Sequence, residues 1–407
     1  MHMIRRAFLE GCWSATIAPA ALSIVACEPA SDLGPLVVDR DELLDLPEGF
    51  SYVVLERSGD VMSDGHTVGA RPDGMACFDG RGGTWILLRN HELDAGAAAV
   101  PEVAYDPNQL GGVTRLVIDR ETLERKSSNW VLVGTSRNCA GGPSPWGWLS
   151  CEETTSPNHG YVFLCDPEAS SAREPQRAPS LGRFKHEAAG VDPETNVIYM
   201  TEDEKASCLY RHVPTDGPFV GRLEALRIAG EDGKELALGL RVGDQFEVDW
   251  VPVDDPESSE PTPFEQAFER GAAIINRGEG LWFSDGSVFF VSTEGGPAGR
   301  GQVFRLDPTA SGGTLTLIAQ AEADDVLVNP DNITVAPNGD IFVVEDNDGP
   351  NHIRRIGQDG KVETFARNAR DGGTGELCGV CFSPDGSVMF VNMQEEGLTL
   401  AITGPFA

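Results

Sequence analysis

The chain has 407 residues, with 64 Asp and Glu against 31 Lys and Arg, a formal net charge of −33. Such a surface repels phosphate backbones and anionic lipid, which excludes nucleic acid as a partner. With 47 glycines and 40% hydrophobic residues the chain can build a real core, but it is too rich in turn-formers for a helical bundle and too apolar for a disordered chain.

The N-terminus reads as an export address. Arg5 and Arg6, followed by Ala7, Phe8 and Leu9, match a twin-arginine signal. Trp13 to Ala26 is an uncharged, mostly apolar run, too short for a membrane span of about 18 residues or more. Ile24, Val25, Ala26 and Cys27 have the residue types of a lipobox, which would make Cys27 a lipidated first residue. The expectation is a signal over residues 1–26, a linker over 27–44 and a catalytic domain over 45–407. The product would be a periplasmic or cell-surface monomer whose only membrane link is a lipid at Cys27. The twin-arginine route carries folded proteins, which points to a cofactor inserted before export.

Setting aside Cys12 and Cys27, seven cysteines remain: Cys77, Cys139, Cys151, Cys165, Cys208, Cys378 and Cys381. An odd number in an oxidising compartment leaves at least one unpaired or ligated. Cys378 and Cys381 form a C-x-x-C with no second pair to complete a four-thiolate zinc site.

Four windows share one grammar, a turn residue, a short apolar run and a polar terminus six positions on: Asn196 to Glu202, Gly286 to Ser292, Gly339 to Glu345 and Gly386 to Asn392. Looser copies are Trp85 to Leu88, leading to Asn90-His91-Glu92, and Trp146 to Ser150, leading to Cys151-Glu152-Glu153. Runs this short and rich in β-branched and aromatic residues predict strands buried on both faces. A second strand type follows several of them, as in Gly160 to Pro167 and Gly301 to Pro308. Repeated small sheets that cannot bury their own faces predict an all-β protein, a six-bladed β-propeller. The rhythm breaks over 214–271, an irregular insertion. There Thr262, Pro263 and Glu265 predict a capped helix from Phe264 to about Ala272, just before the Arg277 loop.

If the apolar runs line the central channel, their ends converge on one mouth, and those ends are acidic: Glu92, Glu152, Glu153, Glu202, Asp203, Glu294, Glu345, Asp346, Glu395 and Glu396. Crowded carboxylates relieve their repulsion by taking up protons or cations. Calcium takes six to eight oxygen ligands, and ferric iron also favours oxygen. Cys151 is a thiol where other repeats place Asn, Ser or acid, which suits either a small buried hydrophobe or a transition-metal thiolate.

A series of segments, in order, resembles the PhoX-type alkaline phosphatases: Asn90-His91-Glu92, Pro145-Trp146-Gly147 with Trp148 to Glu153, Gly182 to Glu187, Thr201-Glu202-Asp203, Arg277 to Gly280, Pro330-Asp331-Asn332, and Phe382 to Gly386 with Gln394-Glu395. The resemblance runs from about residue 45 to the C-terminus. It implies a six-bladed propeller that hydrolyses small phosphomonoesters, with two Fe³⁺ ions and several Ca²⁺ ions at the channel mouth. It also implies that Cys151 is the thiolate shared by the irons and that Glu187 and Glu279 are metal ligands. Arg277 would be a phosphate clamp beside Glu279 in the catalytic centre, with Glu92, Glu152, Glu202, Asp203, Glu345 and Asp346 as further ligands. A lysine near the phosphate is implied as well, and neither Lys205 nor Lys361 matches it. Asn329 to Asn332 and Gly339 to Glu345 also resemble calcium-dependent lactonases of the gluconolactonase type. A non-catalytic calcium-binding propeller is the third alternative.

Overall fold

The computed structural model describes residues 33–323 and 326–406. The twin-arginine pair Arg5-Arg6 and Cys27 lie outside the described residues. The protein is all-β and propeller-like. Its one α-helix among the described residues, Pro263–Phe268, carries the expected capping box between Thr262 and Glu265 and ends earlier than the sequence pattern suggested. No helix there is long and apolar enough to cross a membrane.

All six apolar runs are strands: Thr84–His91, Gly147–Glu152, Ile198–Glu202, Ser287–Ser292, Ile341–Glu345 and Val388–Met393. They do not line the channel. Each pairs antiparallel with the strand before it in sequence, Pro72–Asp79, Asn138–Ser144, His186–Val191, Gly278–Ser284, Pro330–Val335 and Leu377–Phe382. Those six preceding strands pack side by side in a closed cycle, the last returning to the first, and so form the innermost layer. They escaped the periodicity argument because Gly, Ala, Pro and acids interrupt them, whereas the strands behind them are continuously apolar.

Hydrogen bonding groups the strands into five sheets among the described residues. One has nine strands, because Gln245–Val253, inside the supposedly irregular segment, pairs on one side with Gly221–Ile228 and on the other with Gly313–Gln320. The ring is closed by distant parts of the chain, Ser51–Arg57 completing the sheet of Leu398–Thr403. Leu44–Pro47 pairs with Val362–Asn368 and carries Leu36–Val37 at its edge. Large side chains fill the space between neighbouring sheets, as where Trp85 meets Phe390 edge-on at 6.3 Å. Each fully buried aromatic or aliphatic side chain contributes about 1.5–3 kcal/mol, which holds the sheets radially without a disulfide among the described residues. All seven cysteines from Cys77 to Cys381 are unpaired.

Near the start of every innermost strand the ladder slips, two residues standing against one on the partner. A bulge of this kind bends a strand and re-aims its side chains. The second residue of each slipped pair is Gly74, Ala140, Ala188, Gly280, Asn332 and Val380, small in the first four. Close approach demands it: a Cβ on Gly280 would stand 2.4 Å from the carbonyl oxygen of Asp331, and one on Gly74 would stand 2.5 Å from the Cα of Ala140. The strands therefore crowd together below the bulge, and their second residues meet above it.

Candidate metal centre at the channel mouth

The second residues of the six innermost strands are Asp73, Cys139, Glu187, Glu279, Asp331 and Cys378. Four carboxyls and the Cys139 thiol are thus set in equivalent places by five copies of one bulge, whereas in the sixth strand the bulge begins one residue later, at Gly379, and Cys378 still pairs with Asn392. The Cys139 sulfur lies 3.1 Å from Glu187 Oε1 and 3.6 Å from Asp73 Oδ2. Cys139, Glu153 and Glu187 bring ligand atoms within 4.8 Å of one another, and so do Asp73, Glu376 and Cys378.

Two further tiers repeat around the mouth. The residues just before the innermost strands are Arg71, Arg137, Lys185, Arg277, Asn329 and Glu376. Their carbonyls accept from the N–H groups of Glu92, Glu153, Asp203, Thr293, Asp346 and Gln394, the residues just past each second strand, at 2.9–3.2 Å. Arg71, Arg137, Arg277 and Asn329 all hold positive φ, from 45° to 51°. Non-glycine residues rarely adopt this left-handed conformation, and it concentrates where a site over-determines the backbone. A half-buried basic rim thereby overlies an acidic and sulfurous floor.

The electrostatics of that floor are unfavourable as it stands. Burial, reinforced by the charge of Glu92, pushes Asp73 up to about 8. Burial and then Asp203 push Glu279 up to about 8, against the pull of Arg277. Glu187 is driven well above the carboxylate range by burial and then by Glu279, Glu153, Asp73 and Asp203. Asp331 and Glu376 follow for the same reasons, burial first and their acidic neighbours next. Burial, with Asp73 and Glu187 beside it, also raises the Cys139 thiol. Groups that raise one another in this way either hold protons or share a cation. Asp73 Oδ1 and Gln394 Oε1 are buried without hydrogen-bond partners. Oxygen and sulfur donors of this kind, some left unsatisfied, fit multivalent metal ions.

The rim is held by ion pairs. Arg277 donates from Nε and Nη2 to both oxygens of Asp203, at 2.8 and 3.1 Å, and its Nη2 lies 2.6 Å from Glu279 Oε1. Its Nη1 meets only Glu294, at 3.9 Å. Glu92 takes Arg71 at 2.7 Å and Arg137 at 2.8 Å, Arg137 also reaches Glu153, and Lys185 pairs with Glu204 at 2.7 Å.

Of the residues singled out from sequence, Glu92, Glu187, Asp203, Arg277, Glu279 and Asp346 gather at this mouth. Cys151, Glu152, Glu202 and Glu345 do not, because they belong to the strands behind. Cys151 is fully buried in an apolar cluster with Leu149, Val162 and Met200. The thiol against Glu187 is Cys139, twelve residues earlier. Glu152 accepts from His159 Nδ1 at 2.7 Å and from the backbone N–H groups of Ser136, Gly160 and Tyr161. Glu345 accepts from Arg354, the Val328 N–H and His352. Glu202 accepts from the Tyr210 hydroxyl at 2.7 Å. These carboxylates tie loops and strands together. Asp73, Cys139, Asp331, Glu376, Cys378 and the cationic Lys185 were missed. One signal would have found them: a basic or polar residue, a spacer, an acid or thiol, then a small residue, as in Arg71-Pro-Asp-Gly74, Arg137-Asn-Cys-Ala140 and Arg277-Gly-Glu-Gly280.

The fold and this floor define a propeller-like β protein whose channel mouth gathers oxygen and sulfur groups of the kind that fit metal ions, beneath a rim of guanidinium groups. The model of the family "Alkaline phosphatase PhoX" matches residues 31–132 and 106–397, so the chain belongs to that family and is a phosphomonoester hydrolase of the alkaline phosphatase type. In structure the chain is similar to Pseudomonas fluorescens PhoX in complex with vanadate, a transition-state analogue. The TM-score is 0.69 at 18% identity, covering 89% of this chain and 96% of that one. It is also similar to a gluconolactonase from Xanthomonas campestris, at a TM-score of 0.44 and 10% identity, over 87% of this chain and 98% of that one. None of the curated proteins matches it.

Proposed function

We propose that the chain hydrolyses small phosphomonoesters at a mixed iron and calcium centre on the channel mouth, exported and held outside the cytoplasm. The architecture is read as six blades, with the nine-stranded sheet counted as two blades fused through Gln245–Val253. The observation that carries the reading is the convergence of Asp73, Cys139, Glu187, Glu279 and Asp331 on one buried floor beneath Arg277.

Cys139, in place of Cys151, is the thiolate ligand, with Glu187 and Glu153 beside it. Glu279, Asp331, Asp203 and Asp346 supply oxygen around the rest of the mouth. When bound, such cations act as Lewis acids on phosphoryl oxygens and neutralise developing charge. The chain's own residues do the rest. A phosphomonoester with about two negative charges would be repelled by a protein of net charge −33 unless the mouth were locally reversed. The half-buried rim of Arg71, Arg137, Lys185 and Arg277 offsets part of this charge while paired with carboxylates, and bound cations would supply the rest. Asp203 fixes the Arg277 plane through two hydrogen bonds, so that Nη1, the nitrogen without a close partner, turns toward the equatorial oxygens. Lys185, on the same tier, fills the lysine role that neither Lys205 nor Lys361 matched.

The test is elemental analysis of protein exported by its own signal, with a chromogenic phosphomonoester assayed before and after chelation. Iron and calcium together, with activity restored only by re-adding both, is the expected result. Calcium alone with lactone hydrolysis would return the lactonase alternative and overturn this one.

A further inference from the structure

We propose that His159 is a positioning residue for phosphate binding: through Glu152 it fixes the backbone that presents Arg137 to the channel mouth. This role rests on the reading of the basic rim as the phosphate site, and goes beyond the ligands and cations already assigned there.

Ser136 and Arg137 are the whole link between the strands Arg125–Thr135 and Asn138–Ser144. Arg137 turns that corner at a φ of 51°, a conformation a non-glycine residue keeps only when its surroundings enforce it. The enforcement comes from the strand behind. Glu152 Oε1 accepts from the Ser136 N–H at 2.9 Å and from His159 Nδ1 at 2.7 Å, while Oε2 accepts from the Gly160 and Tyr161 N–H groups at 2.8 and 3.2 Å. Glu152 and His159 are both buried, and His159 is the one side-chain donor to this carboxylate among the described residues. His159 is itself gripped from two sides, Tyr105 standing edge-on to the ring at 5.4 Å and the His159 carbonyl accepting from Arg183 Nε at 2.9 Å. At the far end of this relay Arg137 spends Nε and Nη2 on Glu153 and Glu92, which leaves Nη1 for an anion.

The same device stands under one other rim position. Glu345 accepts from the N–H of Val328, the residue before Asn329, at 2.8 Å and from His352 Nδ1 at 2.9 Å, and in both repeats the histidine follows the glutamate by seven residues. Two differences make it a control. Arg354 Nε also donates to Glu345, at 2.8 Å, so that carboxylate does not depend on its histidine, and Asn329 has no charge to offer a phosphate.

The experiment is a double-mutant cycle on metal-loaded protein, read as the Kd of inorganic phosphate by calorimetry and as KM and kcat for a chromogenic phosphomonoester. Arg137→Ala should weaken phosphate binding by about 10–100-fold, the range for a hydrogen bond to a charged group. His159→Phe, which keeps a ring and loses the donor, should weaken it by about 10-fold through misplacement of the guanidinium. In both, KM should rise with kcat near wild type, since the contact is made alike before and during reaction. In the Arg137→Ala background His159→Phe should add less than about 2-fold, because it acts through the side chain already removed. His159→Asn, whose amide can stand where Nδ1 does, should restore most of the affinity. Glu152→Gln should reproduce the loss, and decides the matter if His159→Phe does not fold. His352→Phe should leave phosphate binding unchanged. Full affinity in His159→Phe, the same loss with and without Arg137, an equal loss in His352→Phe, or depletion of metal in His159→Phe would overturn the proposal while leaving the rim standing. Undiminished affinity in Arg137→Ala would overturn the reading of the rim at that residue, and this proposal with it.

Discussion

Two sets of buried carboxylates lie within a few residues of each other along the chain and do opposite things. Glu152 and Glu345, at the ends of the second strands, are each met by three or four donors from His, Arg and backbone N–H groups. Asp73, Glu187, Glu279 and Asp331, at the bulges of the innermost strands, are met mainly by one another. Burial is equal in the two sets, so burial does not mark a metal ligand. What marks it is a deficit of donors, because a buried carboxylate without donors is stable only when protonated or bound to a cation.

The sharpest way to break this contrast is to neutralise one member of the innermost set. Glu187→Gln should lower phosphatase activity by more than about 100-fold, exceeding what loss of an outer hydrogen-bond partner costs a metal site, and should lower iron content in step. Activity and metal both near wild type would show that the crowding at Glu187 has another purpose. Cys139→Ser and Cys151→Ser form the matched pair: the first should abolish thiolate-to-iron absorbance, the second should leave it in place, and the reverse would restore the expectation drawn from sequence.

Arg277→Ala should reduce kcat/KM by about 10²–10³-fold, the usual cost of losing a donor aimed at developing charge. Metal content should hold, because the remaining ligands are untouched; its loss would make Arg277 a structural brace for Asp203 and Glu279.

Glu345→Ala tests the satisfied set. Removing that acceptor takes away the buried carboxylate that pairs with Arg354 Nε and should cost about 3–5 kcal/mol in denaturant unfolding, with metal content unchanged. A smaller expected effect concerns pH. In chelated protein Asp73 and Glu279 titrate near 8, above their ordinary values, so the folded state binds more protons than the unfolded state between about pH 4 and 8. Stability then falls as pH rises through that window. The melting temperature of chelated protein should drop from pH 5 to 9, and that of metal-loaded protein should drop less. Parallel curves would show that metal does not occupy these carboxylates.

The repeat was legible because strand-forming runs buried on both faces are continuously apolar, and Ile341–Glu345 or Val388–Met393 declare themselves to any periodicity argument. The same clarity misled the assignment of the site. The apolar runs were read as channel-lining, so the acids at their ends, Glu152, Glu202 and Glu345, were placed at the mouth, and Cys151 with them. The innermost strands escaped notice for a physical reason: crowding round the axis calls for Gly74, Ala140, Gly280 and Gly379, residues that weaken a strand signal. Arg277 and Glu279 were found through a motif that spans one such bulge.

Composition and repeat spacing by themselves determined that this chain is an acidic, all-β, propeller-like protein with acids to bring together, since alternation of turns and apolar runs is local. Which acids meet, and which sulfur meets them, was decided by the tertiary structure. Asp73 and Cys378 come from opposite ends of the described chain and are joined only when the ring closes. A one-residue slip at each bulge, which no run of apolar residues marks, determines whether a side chain faces the cavity or the core.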